Sequence, residues 1–147
     1  GGGFMATAAI LQYPDFFKAA VSCAGNHDNK IYNRWWSETH HGVKEQVSDK
    51  GDTTFVYKIS SNPEIAKQLK GHLLLVHGEI DNNVHPGNTS RVVNALIRAN
   101  KRFDMLYLPT QRHGFGDMNE YFYWRLVDHF TDYLIDGRTK EVDIPQR

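Results

Sequence analysis

The chain alternates between unbroken apolar strings and segments whose apolar residues recur every three or four positions. Three strings read as strands: FKAAVSCA (Phe17–Ala24), HLLLVHG (His72–Gly78) and FDMLYLP (Phe103–Pro109). They are nearly continuous instead of alternating, the pattern of strands covered on both faces. Helical patterns separate them. Phe4 to Gln12 is rich in Ala, Met, Ile and Leu and stops before Tyr13-Pro14, where proline disfavours the helical region for its predecessor. Asn62-Pro63 has the form of a cap followed by a first-turn proline, opening a helix that ends at Gly71. Between Pro86 and Asn100, Val92, Val93, Leu96 and Ile97 share a face; between Asn119 and Asp136, Trp124, Val127, Phe130 and Leu134 do. Strands alternating with helices predict the α/β class, a parallel sheet with helices on both faces. No repeat, low-complexity tract or linker interrupts residues 1–147, which read as one domain.

Composition narrows the range of partners. At 147 residues and 40% hydrophobic content the chain can bury a real core. Lys+Arg and Asp+Glu balance at 17 each, so no electrostatic footprint for nucleic acid or an anionic membrane exists. No window approaches the ~20 apolar residues of a membrane span. The single cysteine, Cys23, has no intrachain partner and is expected in a buried strand as a small hydrophobe. The compartment is not legible.

The densest chemistry lies in LLLVHGEIDNNVHP, Leu73 to Pro86, where a buried strand runs into a polar turn carrying Asp81. His113, in PTQRHGFG, sits just past the next strand. Open parallel sheets place ligands outside the carboxyl ends of their strands, so the two loops can converge. An acid meeting a histidine there is the orienting half of a nucleophilic triad. Spacing alone leaves an alternative open, in which Asp81 caps the helix after Pro86 and His113 is a turn residue. His77, Asp81 and His85 are spaced by four, but Gly78, two asparagines and Pro86 break any helix that would align them as ligands. No metal and no cofactor are expected. His40 and His41 read as a solvated turn, with Gly42 ending a helix. Ser22, in AVSCAG, lacks the glycine-flanked elbow of a catalytic serine.

The opening GGGFMATAAI resembles the prolyl oligopeptidase family of serine peptidases, in which the nucleophile elbow continues as S-x-G-G-[FY]-M. Gly2, Gly3, Phe4 and Met5 match the last four positions, and Gly1 stands at the variable one. The resemblance thereby implies a nucleophilic serine immediately before Gly1. HGEIDNNVHP is similar to the family's H-G-x-x-D-x-x-V segment, which assigns the triad acid to Asp81, and RHGFG is similar to its histidine loop, with His113 as general base. The implied fold is a partial α/β-hydrolase fold holding only the C-terminal part of the sheet.

Within the family the likeness is to the dipeptidyl-peptidase IV branch, which implies release of N-terminal dipeptides from a peptide substrate. GNHDNKIYNRWWSETHHG then corresponds to an aromatic segment lining the pocket for the residue before the scissile bond. Tyr32 and Trp36 fall on its aromatic positions, the latter a tryptophan where that branch has tyrosine. Val84 matches a valine closing the same pocket, and Asn83 an asparagine that bonds the substrate's backbone carbonyl. Alternatively YNRWW is a core-packing helix. The branch further implies a missing N-terminal portion with a β-propeller. An acylaminoacyl-peptidase or esterase of the same fold, and a non-catalytic α/β binding module, are the competing functions. Residues 1–147 alone, with Asp and His but no Ser, are expected to be inactive, and FKAAVSCA, as a sheet edge, is expected to be covered by self-association or by the rest of a larger enzyme.

Overall fold

A computed structural model describes residues 1–135. In chain order it contains α1 (Gly2–Gln12), β1 (Ala19–Cys23), α2 (Arg34–His41), β2 (Val43–Val47), β3 (Thr53–Tyr57), α3 (Asn62–Ile65), β4 (His72–Gly78), α4 (Gly87–Arg98), β5 (Asp104–Leu108) and α5 (Asn119–Leu134). The three apolar strings form one parallel sheet in the order β1-β4-β5. Ala19 lies opposite His72 and Leu74 opposite Asp104, with every later pair in step.

The central position of β4 explains its composition. Leu73 and Leu75 point to a core built with Ile10 and Leu11 of α1, Leu69, and Val92 and Leu96 of α4. Leu74 and Val76 point the other way, onto Leu108, Phe115 and Phe122 of α5. With period-two alternation and helices on both sides, Leu73 to Val76 are covered on both faces and carry no polar side chain. Burying each such leucine stabilises the fold by about 1.5–3 kcal/mol, and the result is a rigid strand whose carboxyl end carries Asp81.

Several local expectations shift. The α3 cap is Ser61, not Asn62: Ser61 and Glu64 form a reciprocal capping box, and Pro63 lies in the first turn. Asn62 is instead buried, its amide donating to the Phe4 carbonyl at 3.1 Å. The helix is short and tightens into a 3-10 turn over Ala66–Gln68. The first strand starts at Ala19, leaving Phe16 in a turn and Phe17 in the irregular stretch before the strand. In α4 Ile97 is exposed, and in α5 Val127 and Leu134 are exposed while Phe122 and His129 are buried. Apolar residues occur on both sides of α5, so the neighbours decide which side is covered. The expected end of that helix, Asp136, lies outside the described residues. Cys23 is only half-buried, and burial lifts its thiol to about 11.

A second sheet was not legible. β2 and β3 pair antiparallel, Val43 opposite Tyr57 and Val47 opposite Thr53. Most of their residues are exposed, so the hairpin forms on backbone bonds and the Ser48–Gly51 turn without a continuous apolar signal. No described helix is long and apolar enough to cross a membrane.

Candidate active site

Because β4 and β5 are adjacent and parallel, the loops that follow them leave the same end of the sheet, where they are joined backbone to backbone. The N–H of Glu79 donates to Leu108 O at 2.9 Å and that of Ile80 to Gln111 O at 3.0 Å. The Glu79 carboxylate accepts from Thr110 N–H at 2.8 Å, which occupies it as a brace between the loops. Gly78 makes the approach possible: a methyl group on it would lie 2.5 Å from the carbonyl oxygens of Gln111 and Arg112. Thr110 and Phe115 flank the histidine in left-handed backbone, φ 60° and 59°. For a β-branched threonine this is a strained conformation, retained only where the surroundings enforce it.

Asp81 and His113 meet between these loops. Oδ2 of Asp81 lies 2.8 Å from Nδ1 of His113, and Oδ1 accepts the backbone N–H groups of Asn83 and Val84, each at 2.9 Å. The aspartate side chain is fully covered, whereas that of His113 is 46% exposed. Burial alone would raise the Asp81 carboxyl, but the bonds from His113 and from the Val84 and Asn83 amides outweigh it, leaving the group below the usual carboxylate range. Behind Asp81 lies His77, wholly buried: Nδ1 is 2.7 Å from Thr89 Oγ1, and Nε2 is 2.8 Å from Val84 O and 3.3 Å from Asp81 Oδ2. Burial lowers its basicity, partly offset by Val84 and Asp81, so the ring is neutral. His85, the third member of the spaced-by-four set, turns back to accept Gly87 N–H.

The glycines at the start of the chain lie on the carboxyl end of β1. A methyl on Gly3 would meet Cys23 O at 2.3 Å and Gly25 Cα at 2.7 Å, so glycine lets the first turn of α1 rest directly on the strand. Ser22 is buried in this contact, its hydroxyl donating to Gly3 O at 2.8 Å. It is a fastening, with no open face toward a substrate.

Tyr32 and Trp36 stand beside the same end, their rings edge to face with centroids 5.4 Å apart. Trp36 reaches toward the start of α1, since a methyl on Gly1 would lie 3.5 Å from its Cζ2. A cleft of about 390 Å³ is lined by Tyr32, Asn33, Asp81, Asn82, Asn83 and His85, among others. Tyr32 and Asn83 therefore share a cleft with Asp81. Trp36 touches that wall through Tyr32 without lining the cleft, and Val84 is 2% exposed within the Asp81 turn. As a core helix α2 would be poor, for it buries only Ser37 and His41 while Trp35 is 76% exposed.

What holds this wall was missed by pattern reading. Asn29 Oδ1 accepts from Asn26 Nδ2 at 2.9 Å and from Ser37 Oγ at 3.1 Å, and Asn29 Nδ2 donates to His41 Nδ1 at 2.8 Å. His41 is thus a buried member of a polar network, not a solvated turn residue, and burial with neighbouring His40 lowers its basicity. Asp28 pins the same loop to α4, its N–H donating to Asn88 Oδ1 at 3.0 Å and its carboxylate pairing with Arg91. The density of Asn, Asp and His in GNHDN was the available signal, but local spacing gives no partner 60 residues away.

Sheet order, crossovers and site position define part of an α/β-hydrolase domain, the class of the solved structures it matches. The profile of the prolyl oligopeptidase family matches residues 1–136, and the chain belongs to that family. It is 27% identical over 135 residues to dipeptidyl peptidase 8 of Homo sapiens, a match covering 90% of this chain and 15% of that protein. It is also 27% identical to inactive dipeptidyl peptidase 10 of Rattus norvegicus, with 90% and 16% covered. The crystal structure of Porphyromonas gingivalis dipeptidyl peptidase 4 superimposes with a TM-score of 0.75 at 30% identity, over 90% of this chain and 18% of that one. The chain thus spans less than a fifth of the length of these relatives.

Proposed function

We propose that the intact protein is a serine peptidase of the dipeptidyl-peptidase IV kind, releasing N-terminal dipeptides by acyl transfer, with Asp81 as triad acid and His113 as general base. The observation that carries this reading is the 2.8 Å contact between Asp81 Oδ2 and His113 Nδ1, at adjacent strand ends of a chain from this family. The contact orients Nε2 of His113, on the half-open side of the ring, toward a nucleophile. In the family pattern that nucleophile is the serine preceding Gly1. His113 takes its proton as it attacks the peptide carbonyl and returns the proton to the leaving amine, while Asp81 stabilises the imidazolium. The N–H of the residue after the serine, here Gly1, is one donor to the developing oxyanion. Tyr32 and Trp36 are the aromatic wall for the residue before the scissile bond, and Asn83 a donor to the substrate backbone.

The test is turnover of a dipeptidyl chromogenic substrate by the intact protein, with an N-blocked analogue beside it. His113→Ala is expected to lower kcat by at least about 10³, and residues 1–147 alone to show no turnover. Full activity of His113→Ala overturns the reading. Preference for the blocked substrate replaces dipeptide release with acylaminoacyl release. No turnover by the unaltered protein places it beside its relative that is described as inactive.

A further inference from the structure

We propose that His77 and Thr89 are positioning residues for the triad acid: the Thr89 hydroxyl fixes the tautomer of His77, and the His77 Nε2–H braces the Asp81 turn through the Val84 carbonyl and, at longer reach, through the carboxylate oxygen Oδ2 that also meets His113. This rests on the serine-peptidase reading above and extends it one layer inward.

A neutral imidazole has one donor and one acceptor nitrogen. Nε2 of His77 faces two groups that can only accept, the Val84 carbonyl at 2.8 Å and Asp81 Oδ2 at 3.3 Å, so the proton is on Nε2. Nδ1 must then accept, and its neighbour is the Thr89 hydroxyl at 2.7 Å, which rotates to donate. Both side chains are closed to water, His77 at 0% and Thr89 at 1% exposed, so no solvent molecule can substitute for either bond. The direction of donation runs from Thr89 to His77 to the Val84 carbonyl, with Asp81 Oδ2 as the longer arm of the fork.

Oδ1 of Asp81 takes the N–H groups of Asn83 and Val84, and Oδ2 takes His113 at 2.8 Å and His77 at 3.3 Å. Three of these contacts are hydrogen bonds, and the longer approach of His77 shares its proton with the Val84 carbonyl, the nearer acceptor. The Asn83 and Val84 amides of the Asp81 turn and the nearby His77 of β4 hold the carboxylate independently of His113, the half-exposed partner. The ionisable groups near His77 are Asp81, His113 and the buried His27. Protonation of the ring would put a proton on Nδ1 against Thr89, reversing that bond. Burial opposes it, and the network is built for the neutral form. The placement also accounts for the spaced-by-four His77 and Asp81 without a metal: each nitrogen and oxygen already has a partner.

The fork is unequal, Val84 O being the nearer arm. The expected effect is therefore modest beside that of the general base. In the intact protein, His77→Phe should lower kcat about tenfold with KM within about twofold, and Thr89→Val should lower it about threefold. His77→Gln, whose amide retains a donor, and Thr89→Ser, which retains the hydroxyl, should recover most of the rate. The acid limb of kcat/KM reports the Asp81–His113 pair as a unit. Removing a donor from the ionised carboxylate favours its protonated form, so in His77→Phe that limb should move up by about half a pH unit.

His113→Ala is run in parallel. If it abolishes turnover while His77→Phe and Thr89→Val keep the original kcat and acid limb, this proposal is wrong and the peptidase reading stands. If His113→Ala leaves turnover intact, both fall. A loss of rate that Gln and Ser fail to recover, or that appears in KM alone, marks packing and also overturns the proposal. Should His77→Phe fail to fold, the Thr89 pair decides by the same criteria.

Discussion

Gly78 lies against the backbone of Gln111 so closely that a methyl group on it would stand 2.5 Å from the Gln111 carbonyl oxygen. This contact fixes the distance between the loop that carries Asp81 and the loop that carries His113. Gly78→Ala should push the loops apart and lower kcat of the intact protein by about 10² or more, on the general cost of an ångström-scale misplacement. An alanine variant with unchanged kcat would show that the loops can shift together.

Ser22 and Gly3 make the corresponding contact on the other side of the site. Ser22→Ala removes one donor to the Gly3 carbonyl, which keeps its bond within α1, at a cost of about 0.5–1.5 kcal/mol. The expected result is a lower Tm with turnover retained at the permissive temperature. Loss of all turnover in a folded Ser22→Ala protein would mean that this hydroxyl has a chemical role.

The aromatic wall can be tested by size. Tyr32 lines the cleft and Trp36 packs edge to face against it, so Trp36→Ala should let Tyr32 move as well. KM for a dipeptidyl substrate with proline before the scissile bond should rise about tenfold or more, and Tyr32→Ala should act in the same direction. Additive effects of the two would argue that the rings act separately; contact predicts that the double variant loses less than the sum.

A pH dependence follows from His27. It is fully buried, its Nδ1 taking the Asn62 amide at 2.9 Å, and burial, with a smaller contribution from nearby His77, lowers its pKa from 6.5 to about 3. In that window the unfolded chain binds the proton and the folded chain does not. Stability therefore falls as pH drops from 6.5 toward 3, by at most about 1.4 kcal/mol per unit for this group. His77, His41 and His129 are shifted in the same direction and add to the slope. Asp81, lowered from 3.8, contributes stability that is lost only at more acidic pH. Denaturation midpoints of the intact protein between about pH 7 and 4.5 should fall on acidification, and His27→Gln should flatten the curve. An identical slope in the variant would remove His27 as its source.

The sequence by itself determined the parallel sheet and which strand ends Asp81 and His113 would follow. HLLLVHG is apolar at every position from Leu73 to Val76, and such a string fits only where both faces are covered. Asp81 and His113 follow strand ends directly, and two parallel neighbours put those ends side by side. The family resemblance likewise lay in short local strings around Gly3, Asp81 and His113. Tertiary structure alone decided the rest, because it depends on pairs far apart in the chain. The β2–β3 hairpin has too little buried surface to leave a pattern. The inward face of α5 was chosen by what covers it, since apolar residues stand on several sides. His41, Asn62 and His77 each carried polar atoms into the interior, and nothing in their neighbours in sequence named the partners that made burial tolerable: Asn29, Phe4 and His27, and Thr89 with Val84. Burial of a polar group is offset by the bonds it makes, and those bonds are a property of the assembled fold.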